Sequence, residues 1–130
     1  MAVRVLLATR GLLWALVSPD ELTKQARALI ADRETEVLVS AASAWEIATK
    51  SRLGKLDQAR EVVTNYAAHL RTLSASEVPI TGAHALLAGG FDVPHRDPFD
   101  RIIAAQSMML GVPVITNDVA FSQFPCQRIW

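Results

Sequence analysis

The sequence predicts an α/β fold, a three-layer α/β/α sandwich around a mainly parallel central sheet. Three observations carry this. Short apolar, Val- and Ile-rich runs of strand length recur along the chain (Val3 to Ala8, Val37 to Ser40, Glu77 to Ile80, Val112 to Thr116). Amphipathic stretches with helix start and stop signals separate them, and strands alternating with helices favour parallel pairing with helices on both faces. No repeat, low-complexity tract or Pro-rich linker divides the 130 residues, so one domain over residues 1–130 is expected, large enough to bury a core without a disulfide.

Each element has its own signal. Val3 to Ala8 reads as a buried first strand. Ser18, Pro19, Asp20 and Glu21 form a capping box with Pro at the first helical position, and Leu22, Ala26, Leu29 and Ile30 follow at helical spacing. The strand Val37 to Ser40 leads into a helix carrying Ala44, Trp45, Ile47 and Ala48 that stops near Gly54. Asp57 to Leu73 reads as one helix with Val62, Val63, Tyr66, Ala67 and Leu70 as its apolar stripe. Glu77 to Ile80 is a short strand, and Thr81 caps a helix ending at Gly89 and Gly90. The segment HRDPFDR, His95 to Arg101, opens a helix that runs on through Ile102 to Leu110. Val112 to Thr116 is a strand, Asn117 and Asp118 a turn, and Gln127 to Trp130 a last strand.

Composition excludes several function classes. Lys plus Arg and Asp plus Glu each number 13, so no global positive field attracts nucleic acid. A nucleic-acid partner would need a local patch, for which Arg52, Lys55, His95, Arg96 and Arg101 are candidates, or metal ions. The lone Cys126 excludes an internal disulfide and argues against a Cys-based metal site, consistent with a reducing cytoplasm. The opening MAVRVLLA is too short for a signal-peptide core, and no run approaches the ~18 apolar residues of a membrane span. No Gly-rich phosphate loop is present, which weighs against a nucleotide-binding α/β protein.

The acidic residues are the candidate chemistry. Glu46 lies in the first turns of the helix after the second strand, Asp97 and Asp100 open the HRDPFDR helix, and Asp118 follows the strand VPVIT. Each has an ordinary local role available: Asp97 as an N-cap, Asp100 in a helix first turn, Glu46 pairing with Lys50, Asp118 in a turn. Together, three strand-helix junctions offer carboxylates to one edge of the sheet, where ligands of such sheets bind. Converging carboxylates need compensating cations, and hard ions such as Mg²⁺ prefer oxygen ligands.

Over nearly its whole length the chain resembles the PIN-domain ribonucleases, and within them the VapC-type toxins of bacterial toxin-antitoxin pairs. The resemblance rests on LLATRGLLWAL at the first strand and helix, VSAASAWEIATKSRLGKL at the second, HRDPFDRIIAAQSMMLGVPVITND, and the ending Ile129–Trp130. It implies a metal-dependent endoribonuclease that cleaves RNA phosphodiesters with water activated on Mg²⁺ or Mn²⁺, pairs with a VapB-type antitoxin and, as is frequent in the family, forms homodimers. By position, Glu46, Asp100 and Asp118 match the acidic metal ligands, Asp97 a recurrent acidic residue beside the site, and Thr9 a hydroxyl next to the first acidic residue. Thr9 equally fits a β-branched residue ending a strand.

One position departs. The family's first strand ends in Asp followed by Thr, whereas here Ala8 precedes Thr9 and offers a metal no oxygen. The resemblance then implies an impaired nuclease: either a substitution that inactivates an enzyme toxic to its host, or a natural inactive module that still binds RNA or an antitoxin. The intact remainder of the motif set favours the first. Leu12, Leu13, Trp14, Leu16 and Trp45 read mostly as core, and any exposed part would form a groove for an antitoxin helix. His95 reads as a phosphate contact or an ordinary surface residue.

Overall fold

The computed structural model describes residues 3–130; Met1 and Ala2, the start of the segment searched above for an export signal, lie outside the described residues. In chain order the elements are β1 (Val3–Leu7), α1 (Thr9–Val17), a 3-10 turn (Pro19–Glu21), α2 (Lys24–Ala31), β2 (Thr35–Ser40), α3 (Ala41–Arg52), α4 (Ala59–Thr64), α5 (Tyr66–Thr72), β3 (Ser76–Val78), α6 (Gly82–Gly90), α7 (Pro98–Leu110), β4 (Val114–Ile115), a second 3-10 turn (Val119–Gln123) and β5 (Arg128–Ile129). Among the described residues no helix is long and apolar enough to cross a membrane.

The five strands form one parallel sheet in the order β3-β2-β1-β4-β5. Central β1 aligns Val3 with Thr35 through Leu7 with Val39 on one side, and Leu6 with Val114 on the other. Alternation along the strands sends Val5, Leu7, Val37 and Val39 into a core shared with Leu12, Ala26, Val62 and Leu70 of the α1–α5 layer. Leu6, Ala8 and Leu38 point the other way, onto Ile103 and Ala104 of α7 and onto Phe121. With helices on both faces, the inner strands carry unbroken apolar runs, and the fold is the predicted three-layer sandwich.

The chain builds outward from β1 through β2 to β3, then crosses back to lay β4 and β5 on the other side of β1. That reversal opens a crevice between the C-terminal ends of β1 and β4, the usual place for a ligand. Helix α1 packs tightly there: a Cβ on Gly11 would lie 3.3 Å from the Ile115 carbonyl oxygen. Glycine allows this approach.

Helix α7 forms as its sequence specifies. The Asp97 side chain accepts from the N–H groups of Phe99 and Asp100, Pro98 takes the first helical position, and Gly111 ends the helix at φ 68°. Thr81 caps α6 reciprocally with His84, whose imidazole accepts from the Thr81 N–H.

Two helices differ from expectation. Ser18 forms no capping box; its N–H donates to the Trp14 carbonyl and ends α1, so Pro19–Glu21 makes only a 3-10 turn. Helix α2 starts afresh from Thr23, which accepts from the Ala26 N–H. The stretch from Asp57 to Leu73 is two helices, because Asn65 leaves helical conformation at φ −130° and ψ 42° between α4 and α5. Val62 is buried by α4, while Val63 is exposed. The β-branched run Val62, Val63, Thr64 before Asn65 is a weak helix former, so packing decides the break.

Candidate active site

An open cleft of about 550 Å³ lies at the C-terminal ends of β1 and β4, lined in part by Ala8, Thr9, Glu46, Asp97, Asp100 and Asp118. The fold therefore brings to one place every candidate catalytic or metal-binding residue, though none of the basic candidates Arg52, Lys55, His95, Arg96 and Arg101: Ala8 and Thr9 come from the β1–α1 junction, Glu46 from α3, Asp97 and Asp100 from the start of α7, and Asp118 from the segment after β4.

The carboxylates are held in different ways. Asp97 Oδ1 accepts the Phe99 and Asp100 N–H groups at 2.8 and 3.2 Å, so this side chain caps its helix. Asp118 Oδ1 accepts the Ala120 N–H at 2.9 Å, and the Asp118 N–H donates to Thr116 Oγ1 at 3.0 Å, which fixes the turn after β4. Asp100 Oδ2 accepts from His95 Nε2 at 2.7 Å. Glu46 Oε2 is paired with Lys50 one helical turn on, the pairing expected from the sequence, while Glu46 Oε1 is buried with no hydrogen-bond partner. Thr9 Oγ1 shares a buried 3.0 Å hydrogen bond with Ser43 Oγ, which ties α1 to α3.

These placements create an imbalance of charge. Burial, opposed by the His95 hydrogen bond and reinforced by the nearby negative charges of Asp97 and Glu46, pushes the Asp100 carboxyl from its ordinary value of 3.8 up to about 6. A buried carboxylate oxygen without a partner, beside a second carboxylate reluctant to ionise, is a donor set that fits a hard divalent cation. Among the described residues, however, no three His, Cys, Asp or Glu side chains converge closely enough to form a ready metal cluster. Ala8, buried against the α7 core, contributes only a methyl group where the cleft meets β1.

The basic and aromatic residues are redistributed relative to expectation. Arg101 is not available to a phosphate: its guanidinium donates to the carbonyl oxygens of Ala88 and His95 at 2.8 Å and of Phe91 at 2.5 Å. His95 turns inward to Asp100. Lys50 and Arg10 instead line the cleft. Leu12 and Leu13 are core, but Trp45 is 57 % exposed, its ring edge-on to Phe99 with centroids 4.6 Å apart. Sequence reasoning missed Ser43 and also Gln123, whose Oε1 accepts the His95 N–H at 3.0 Å. No pattern marks Gln123, because its partner lies 28 residues away.

Comparison with known proteins agrees with this architecture. The family model described as the PIN domain matches residues 5–125. No curated protein matches the sequence. Among solved structures, the chain is similar to VapBC2 from Rickettsia felis, solved bound to a DNA fragment from its promoter, at 14 % identity and a TM-score of 0.68 over 98 % of each chain. It is also similar to PAE2754 from Pyrobaculum aerophilum, at 18 % identity and a TM-score of 0.55 over 98 % of this chain and 84 % of that one. At such identities the likeness is one of fold.

Proposed function

The chain belongs to the PIN domain family, and from that premise we propose that it is the toxin of a type II toxin-antitoxin pair, a metal-dependent endoribonuclease whose activity is impaired at Ala8. The observation that carries the reading is that Glu46, Asp100 and Asp118 line one cleft at the sheet's switch point, with Glu46 Oε1 buried and unpartnered. The Rickettsia felis neighbour, a VapBC2 assembly, supports an antitoxin as partner. Exposed Trp45 leaves apolar surface on α3 that would receive an antitoxin helix, and a homodimer is the further assembly the family reading implies.

Glu46, Asp100 and Asp118 would hold Mg²⁺ or Mn²⁺, which when bound supplies activation of water and neutralises charge at the scissile phosphate. The chain's own residues prepare that site. Burial keeps Asp100 short of water, so its charge is only weakly screened. Asp97 fixes the first turn of α7 and so the direction from which Asp100 approaches. Lys50 holds one oxygen of Glu46 and, with Arg10, brings positive charge to the cleft for an RNA backbone. At position 8 the methyl group of Ala8 leaves one wall of the donor set empty.

A second reading, a PIN-fold module that binds RNA or an antitoxin without cutting, is favoured by that same residue. The deciding experiment compares the parent chain with Ala8→Asp on a broad set of RNAs, with Mn²⁺ or Mg²⁺ and with chelator. The nuclease reading expects cleavage by Ala8→Asp at least about 10²-fold faster than by the parent, abolished by chelator. Cleavage by neither form, with binding retained by both, would establish the binding module.

A further inference from the structure

Resting on the reading that Asp100 takes a divalent cation, we propose that His95 is a positioning residue, braced by Gln123 and Arg101, that holds the Asp100 carboxylate in its metal-binding orientation. His95 is itself held on several sides. Its N–H donates to Gln123 Oε1 at 3.0 Å, and its carbonyl accepts from the Arg101 guanidinium at 2.8 Å, so the backbone is fixed on both sides. Its ring packs edge-on to Phe124, centroids 5.6 Å apart. None of these contacts involves Asp100. The imidazole is therefore oriented by contacts independent of the carboxylate, and its Nε2 donates to Asp100 Oδ2 at 2.7 Å.

The consequence is directional. A carboxylate on the first turn of a helix has two free torsions, and a fixed donor on one oxygen restricts both. Gln123 also closes the 3-10 turn that begins at Asp118, the other late carboxylate of the cleft. His95 thus joins the Asp118 segment to Asp100 through one pair of hydrogen bonds, so the two carboxylates keep their spacing. With both side chains less than a fifth exposed, water competes poorly for the Asp100 oxygen.

The test separates donor, shape and metal. Urea unfolding of the parent, His95→Gln, His95→Leu, Asp100→Asn and the His95→Leu/Asp100→Asn double variant gives the coupling between the two positions without any metal. Mn²⁺ titration of the same folded proteins by electron paramagnetic resonance then reads cation affinity. The expected result is a coupling of at least about fivefold in the folding equilibrium, Mn²⁺ affinity reduced about 10- to 100-fold in His95→Leu, and affinity within about threefold of the parent in His95→Gln, which keeps an N–H donor. Absence of coupling overturns the proposal. Coupling with unchanged Mn²⁺ affinity in His95→Leu also overturns it, leaving a purely structural pair. If the parent binds no Mn²⁺ while coupling persists, the metal reading of the cleft falls and carries this role with it, a result distinguishable from the other two.

Discussion

The two walls of the cleft are built to different standards. On the α7 wall, Asp97 caps the helix, His95 holds Asp100, and Arg101 fastens the preceding loop through three carbonyl oxygens, so every side chain has a partner that also serves the fold. On the β1–α3 wall, Ala8 has no polar group, Thr9 is turned toward Ser43, and Glu46 keeps one oxygen buried and unpartnered. The capping and bracing residues of the α7 wall serve the fold whatever the cleft binds, whereas on the proposed reading the donor missing at Ala8 would cost the fold nothing. Ala8 sits 5 % exposed in an intact core. On that reading the braced wall keeps its donors in place while the other lacks one.

The largest effect is expected from damage to the α7 wall once position 8 carries a carboxylate. In an Ala8→Asp chain, Asp100→Asn is expected to remove the recovered RNA cleavage, a loss of about 10²-fold or more at saturating Mn²⁺. Retained cleavage would mean that the α7 wall supplies structure only.

The same residue makes the α7 wall costly to the fold, and pH exposes that cost. The folded carboxyl of Asp100 sits at about 6 against an ordinary 3.8, so the folded state binds this proton more tightly than the unfolded chain. Its contribution to stability is therefore fully present below about pH 4 and is lost as pH rises through 6. Asp100→Asn is expected to be more stable than the parent by about 2–3 kcal/mol at pH 7.5 and equal to it below pH 4, as read by urea unfolding at both pH values. An equal effect at both would place the strain elsewhere than in the carboxylate charge.

On the other wall, Lys50 stands between Glu46 and an uncompensated buried charge. Lys50→Met is expected to destabilise the protein by about 2 kcal/mol, less than for a fully buried pair because the Lys50 side chain is 32 % exposed. Millimolar Mn²⁺ should recover part of that loss if the cation takes the place of the ammonium. A melting temperature that falls in Lys50→Met and ignores Mn²⁺ would argue against a cation at Glu46.

Legibility in the sequence follows the same division. The α7 wall was readable because its signals are local: Asp97, Pro98 and Asp100 sit at fixed offsets from a helix start, and Gly111 marks its end. Strands β1 and β2 announced themselves as apolar runs because both faces are covered. Helix α1 carries Arg10 as its only charged residue, so no polar face marked it and only the family resemblance placed it. Ser18 looked like a helix start because a capping box is a local pattern, while the contact that overrode it, its N–H on the Trp14 carbonyl, depends on where α1 ends. The break at Asn65, the Ser43 partner of Thr9 and the Gln123 brace are tertiary choices with no short-range signature.

Thr9 offers the finest test of the contrast, because two roles were open to it. The family resemblance places a hydroxyl beside the first acidic residue, and the structure places that hydroxyl 3.0 Å from Ser43 in a buried pair. If its task is to join α1 to α3, Thr9→Val keeps the shape, removes the bond and leaves the fully buried Ser43 hydroxyl short of a partner, at a cost of about 1–2 kcal/mol. Thr9→Val/Ser43→Ala removes both polar groups and should return most of that stability, since neither hydroxyl is then stranded. In the Ala8→Asp background the double variant should also cut RNA within about threefold of Ala8→Asp alone, because a joint between helices can be apolar. Recovery of stability without recovery of cleavage would instead assign the Thr9 hydroxyl to orienting the restored carboxylate, and would make the depleted wall a site that has lost its ligand but kept the group that aimed it.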